Sequence, residues 1–270
     1  MAQGGSEPIV PRLLKDIVNV SVEIAAPVVD STSFDNILII GEPPAGLEPE
    51  DPMPPAVGVY SSLDEVTGAG WVAIGEGAEP VGIAARVAFS QSPQPGKIYI
   101  AHDYDAITAI SNALSMSGWY VVCPAYADNS AYEDIASYVE TLPKLFCYPV
   151  MIGTDLDIVN AVYFRSFGIF GNKTLYELPE NAPEANNYIH VAFAVKCLNY
   201  PAGSETWAFK TLSAVEPSDL TSTDVKTLSD TPLSYYTTYS SRNITMGGKV
   251  LGGEWIDVIR FRDWLQNDMQ

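Results

Sequence analysis

Apolar positions along this chain recur in two rhythms, and the alternation between them predicts most of the elements. Ile17 to Val22 (IVNVSV) alternates apolar and polar side chains, the mark of a half-exposed strand. Such a strand lies at the edge of its own sheet or reaches a neighbour's, since an extended segment satisfies an open edge in either place. Phe34 to Ile40 (FDNILII) reads as a buried strand ended by Gly41. The stretch from Glu42 to Pro55 then holds six prolines and four acids. Proline fixes φ and lacks the amide donor, so this is an extended surface loop. Val57 to Tyr60 resumes apolar structure, and Ser61 or Ser62 before LDEV is a helix N-cap followed by acids. Pro80 to Phe89 is a helix with proline at its start.

The most regular region follows. Lys97 to Ala101 reads as a strand, Tyr104 to Met116 as a helix, Trp119 to Cys123 as a strand, Ser130 to Leu142 as a helix and Phe146 to Ile152 as a strand. Short connections between alternating strands and helices predict βαβ units and a largely parallel sheet. Further apolar runs, Val162 to Phe170 and Ile189 to Leu198, flank a polar loop over 172–187. From Trp207 to Trp264 the pattern predicts a short strand, a helix leading to a Tyr cluster, a Gly-rich hairpin and a last helix. The fold class expected is therefore α/β, α+β overall. A mostly parallel sheet flanked by helices fills an outer domain over 31–200, a smaller α+β unit occupies 201–270, and 1–30 form an extended arm.

Composition narrows the function. With 47% hydrophobic residues over 270 positions the chain can bury a sizeable core. The net charge of −19 argues against wrapping nucleic acid and against anionic membranes, both of which call for clustered Lys and Arg. No run of eighteen apolar residues exists, so no membrane-spanning helix is expected. Cys123, Cys147 and Cys197 are odd in number, far apart in sequence and set in strand-like apolar runs; they read as buried free thiols.

The ordered set in the C-terminal stretch resembles the tail sheath proteins of contractile phage tails and related phage-tail-like particles. It comprises Trp207, Lys210, Thr211 and Leu212, then Pro217, Leu220 and Thr221, then Tyr235 and Tyr236. Ile244, Thr245, Gly247, Gly253, Trp255, Ile256, Asp257, Val258, Arg262, Asp263, Trp264 and Leu265 complete it. Tyr60, Ser62, Glu65 and Val66 fit a turn of the same family, and the resemblance implies a strand through Gly253, Trp255, Ile256, Asp257 and Val258. The resemblance implies a subunit without a catalytic site or cofactor, stacked as hexameric rings around a tail tube. It also implies contacts to a baseplate and a tail terminator, in a particle made in a bacterial cytoplasm. It implies an N-terminal arm, here Ile17, Val18, Val20 and Val22, that links subunits. Family members continue well past the position of Trp264, whereas this chain has six more residues, so a C-terminally truncated form is expected. In so acidic a chain, inter-subunit or tube contacts fall to the few cations, with Arg260, Arg262, Lys249 and Lys210 the candidates.

The rival reading is a divalent-cation-dependent α/β hydrolase or transferase. His102, Asp103 and Asp105 follow one predicted strand, and Asp155 and Asp157 follow another, where parallel sheets place ligands. The same aspartates are natural N-caps. His190 lies in an apolar run and reads as a core histidine, and Ser166 in FRSFG lacks the glycine of a nucleophile elbow. Gly75, Gly77 and Gly82 are followed by no phosphate-binding lysine, and Glu76 and Glu79 would repel a phosphate; this reads as a turn. Tyr235, Tyr236, Tyr239, Trp255 and Trp264 form either a binding shelf or packing.

Overall fold

The computed structural model describes residues 34–44, 53–126, 130–151, 162–172 and 184–269. Strand β1 (Ile37–Gly41) is buried at every position, as expected of a strand covered on both faces. It pairs in parallel with β3 (Ile98–His102) on one side and with β4 (Val121–Pro124) on the other. The sheet continues in parallel through β5 (Leu145–Met151), β6 (Ser166–Asn172) and β7 (Ser234–Tyr239). Antiparallel strands close both edges, β2 (Val57–Tyr60) against β3 and β8 (Arg242–Met246) against β7. The order is β2-β3-β1-β4-β5-β6-β7-β8. The protein is thus a mixed α/β fold with one eight-stranded, mostly parallel sheet.

Helices cover the two faces. Ile37 and Ile39 of β1 point into one core and Leu38 and Ile40 into the other, following the period of two. The first core carries α1 (Leu63–Gly68), α2 (Pro80–Phe89), α5 (Ile189–Leu198) and α7 (Ile256–Asp268). The second carries α3 (Ala106–Ala113), α4 (Tyr132–Val139) and α6 (Ser222–Ser229). The chain steps from β1 outward to β3 and then back across β1 to β4. Right-handed crossovers in opposite directions must lie on opposite faces, which separates α2 from α3.

Local caps agree with the sequence. The Ser62 hydroxyl accepts from the Glu65 amide at 3.2 Å, while the Glu65 carboxylate accepts from the Ser61 amide at 2.6 Å. Thr221 and Asp224 form a full capping box on α6.

Four expectations are corrected. Ile189–Leu198 is a helix, so Cys197 sits on α5 and not on a strand; apolar all round, α5 is buried against the sheet. The Trp207 segment is irregular, because Phe209 and Ala214 take φ of 63° and 62°, which a regular strand does not accommodate. It still exchanges two backbone hydrogen bonds with β8, Phe209 N to Thr245 O at 2.7 Å and Thr245 N to Lys210 O at 2.9 Å. Trp255 is the N-cap of α7, and Ile256, Asp257 and Val258 are helical, with an isolated bridge between Lys249 and Trp255 as the extended remnant. The β7–β8 hairpin turns at Ser240 and Ser241, both at positive φ as a two-residue primed turn requires, and not at the glycines. The glycines follow the hairpin. Gly247, at φ 98°, passes so close to Ser234 that a Cβ would sit 2.8 Å from its Cα.

Residues 201–270 share the sheet with the rest of the described chain, through β6–β7 pairing and through Trp207. The Trp207 ring meets Phe167 edge-on at 5.2 Å and Phe193 at 5.4 Å.

Candidate interaction surface

Helix α7 is seated by one face and bare on the other. The loop before it is fixed by hydrogen bonds from Gly248 N to the Ser234 hydroxyl and from Ile256 N to Gly248 O, each at 3.0 Å. Its inner face is Ile256, Ile259, Arg260 and Asp263, the i, i+3, i+4, i+7 spacing of a buried stripe. Arg260 is only 2% exposed. Its guanidinium donates to the carbonyls of Phe34 at 3.1 Å, Tyr200 at 2.7 Å, Leu198 at 3.0 Å and Cys197 at 3.4 Å, and to the Asp35 carboxylate at 2.9 Å. Three of those carbonyls close the C-terminal end of α5, where backbone acceptors are left over and positive charge is favoured. Burial pulls the Arg260 pKa down, opposed by Asp35.

Asp263, one turn on, is equally enclosed. Arg165 donates to both of its oxygens, at 2.7 and 3.2 Å, and the Tyr120 hydroxyl donates at 2.8 Å. Burial and the Asp263 carboxylate hold the Tyr120 phenol far above its ordinary range. For Arg165, burial works against the charge but Asp263 outweighs it, and the pKa rises.

The opposite face of α7 presents Val258, Phe261, Trp264 and Met269 to solvent, with Arg262 among them. Phe261 is 43% and Trp264 38% exposed, and their rings stack at 5.9 Å. Phe261 rests on the turn at Gly203, where a Cβ would lie 2.7 Å from the ring. Exposed Phe164, against Gly252, and Trp255, with the Lys249 ammonium 4.9 Å from its ring centre, extend the apolar area along the loop. A helix anchored on its inner face by Arg260 and Asp263 that still exposes apolar side chains on its outer face presents a surface suited to contact.

The predicted contact residues therefore divide. Arg260 is committed inside the chain, whereas Arg262 and Lys249 stand at the surface beside the bare face. Lys210 is buried and paired with Glu205. Ile17, Val18, Val20 and Val22 lie outside the described residues. Sequence reading missed the outward stripe and the Arg165–Asp263 pair. The signal was present in part, since Val258, Phe261 and Leu265 repeat at helical spacing alongside Ile256, Ile259 and Asp263.

The rival acidic site is occupied by capping. The Asp105 carboxylate accepts from the Thr108 amide at 2.8 Å and its hydroxyl at 2.6 Å, which lowers the Asp105 pKa, and Asp103 accepts from the Asp105 amide at 2.9 Å. His102 Nε2 donates to the Pro54 carbonyl at 3.2 Å. Asp155 and Asp157 lie outside the described residues. Among the described residues no three His, Cys, Asp or Glu side chains converge to hold a metal ion.

The other candidate groups are packing. His190 donates from Nε2 to the Pro124 carbonyl at 2.8 Å, and burial pushes its pKa down to about 3. Ser166 is buried within β6. Gly75 and Gly77 form a turn at positive φ. Tyr235 and Tyr236 enter opposite cores, while Tyr239, Trp255 and Trp264 are exposed, so the five aromatics make no common shelf. The three cysteines are free and buried, and the Cys147 thiol is held up by burial with Cys123 beside it.

Compared with known proteins, the chain matches no family model and no curated protein sequence.

Proposed function

We propose that this chain is a structural subunit of a contractile tail sheath, in a bacteriophage, prophage or related particle. Its copies polymerise as stacked rings, six subunits to a ring, around a tail tube. The sleeve contracts to drive the tube through a cell envelope, for genome ejection where the particle carries a genome. Residues 201–270 act as the inner, tube-facing α+β unit with its hairpin, residues 31–200 as the outer α/β domain, and 1–30 as the arm. The assembled neighbours are further copies, the tube, the baseplate and the tail terminator.

The observation that carries this reading is the exposed apolar outer face of α7. It lies in the stretch that holds the sheath-like residue order, and it keeps Phe261 and Trp264 exposed with Arg262 beside them. Rings that rearrange need a rigid body with a changeable set of surface contacts. The rival reading as a cation-dependent hydrolase or transferase is weighed against by the capping roles of Asp103 and Asp105 and by the lack of a ligating cluster among the described residues.

Negative-stain electron microscopy of the purified chain, over a range of protein and salt concentrations, tests it. Ring stacks or hollow sleeves, weakened by Arg262→Glu and Lys249→Glu, are the expected result. Dispersed monomers at every protein and salt concentration would overturn it.

A further inference from the structure

We propose that the cavity between the carboxyl ends of β1 and β4 binds an organic cation, an ammonium or guanidinium group carried on a short methylene stem. This does not depend on the sheath reading.

Strand β1 lies between β3 and β4, and the chain reaches those two neighbours by steps in opposite directions. The segments beyond β1 and β4 therefore part, and an α/β sheet opens a crevice at such a point. Here it encloses about 80 Å³, lined by Glu42, Trp71, Glu79, Val81 and Ala125 with three prolines, every one a described residue. By the ~10–15 Å³ that a single water needs, the space takes a group of roughly five non-hydrogen atoms. Glycine at position 41 lets the start of α2 come this close. A Cβ there would sit 2.4 Å from the Val81 side chain and 3.3 Å from the Ala125 carbonyl.

The walls sort ligands by chemistry. The prolines and Val81 suit a methylene stem, and the indole of buried Trp71 attracts a cation. Glu42 follows β1 and Glu79 precedes α2, so a carboxylate comes from each. The Glu79 carboxylate is held in place by the Val72 amide, which donates to it at 3.2 Å. Pro80 opens α2 and has no N–H to offer an anion. More negative charge stands nearby. Burial pushes the Tyr126 phenol up, and the charges of Asp103, Asp105 and Glu42 push it further. The cations of the central sheet stand at its opposite end. Lys97, Lys144 and Arg165 immediately precede β3, β5 and β6, while Arg86 and Lys196 fall in the last turns of α2 and α5. A metal ion fits less well, since among the described residues no three His, Cys, Asp or Glu side chains converge to hold one. An organic cation needs apolar walls and a carboxylate, and both are here.

The test is a titration of the full chain with n-butylammonium, followed by NMR of the indole N–H groups with the Trp71 signal assigned. A saturating shift at Trp71 is expected, with a dissociation constant of about 0.1–10 mM, the affinity open to so small a ligand. Glu42→Lys, at an exposed position outside the core, should weaken binding about tenfold. The neutral n-butanol should bind at least about tenfold more weakly than the cation. Equal binding of n-butanol would overturn the proposal, because charge would then play no part. Tighter binding of n-butyrate would overturn it in favour of an anion at the α2 N-terminus. No shift at Trp71 up to about 50 mM, or a shift indifferent to Glu42→Lys, overturns it outright. Adding n-butylammonium where the chain self-associates separates two sources of the cation. Dissociation assigns the site to a Lys or Arg of another copy, and unchanged association to a free amine; either result upholds the chemistry of the cavity.

Discussion

Replacing Arg260 by methionine should cost about 3–5 kcal/mol of folding stability, the range for removing one partner from a buried charged network. Methionine fills similar space but donates no hydrogen bond. The change removes the guanidinium donor from four carbonyls, those of Phe34, Cys197, Leu198 and Tyr200, at a site that is 2% exposed, although Cys197 O keeps a backbone amide donor. A hydrogen bond to a charged group is worth about 1.5–3 kcal/mol net, so four lost bonds exceed the expected total before relaxation. Release of the arginine from its desolvation returns part of the loss. Asp35 contributes little, because its side chain is 67% exposed and rehydrates freely; Asp35→Ala should cost no more than about 1 kcal/mol. Urea unfolding followed by circular dichroism, with an unchanged m-value, gives the free energies. Thermal melts should show a drop on the order of 10 °C for Arg260→Met. Hydrogen exchange should quicken first at the end of α5. If Arg260→Met lies within about 1 kcal/mol of the parent, or if Asp35→Ala is equally damaging, the carbonyl clamp does not hold α7 and the reasoning fails.

Lys144 lies over the Trp119 ring at 4.4 Å, donates to the Trp119 carbonyl, and has a pKa pushed down by burial from 10.5 to about 8. The unfolded chain therefore binds the extra proton between those values. Stability relative to Lys144→Met should rise by up to roughly 3 kcal/mol as pH climbs from 8 to 10.5, measured by urea titration. His190 has the same sign of shift at lower pH, from 6.5 to about 3. Stability should fall by about 1.4 kcal/mol per unit as pH drops through that window, and His190→Gln should flatten the slope. Asp105→Ala should lose about 1 kcal/mol from the α3 cap, and millimolar Mg²⁺ should not shift the melting temperature of either form. A Mg²⁺ shift abolished by that change would revive the cation-site reading.

Much of the fold was legible because its signals are local. The apolar runs within Ile37–Gly41 and from Ile98 to Ala101 mark central strands, and Ser62, Asp105 and Thr221 mark helix starts through short hydrogen bonds of their own. The candidate surface was less legible. Arg260 and Arg262 look alike in sequence, two positions apart on one helix, yet one is enclosed and the other open. Which arginine turns inward depends on where the end of α5 and the start of β1 come to rest, more than sixty residues away in sequence.

By itself, the amino-acid sequence determined the βα alternation, the parallel centre of the sheet, the helix caps and the surplus of negative charge. Each follows from periodicity, backbone restriction or composition within a few residues. The tertiary structure alone decided that Trp207 wedges between Phe167 and Phe193, that Asp263 is claimed by Arg165 and Tyr120, and that Phe261 and Trp264 face outward. Those outcomes turn on buried donors finding acceptors from distant segments. An unpaired polar group in the interior costs more than any local preference of the residue that carries it.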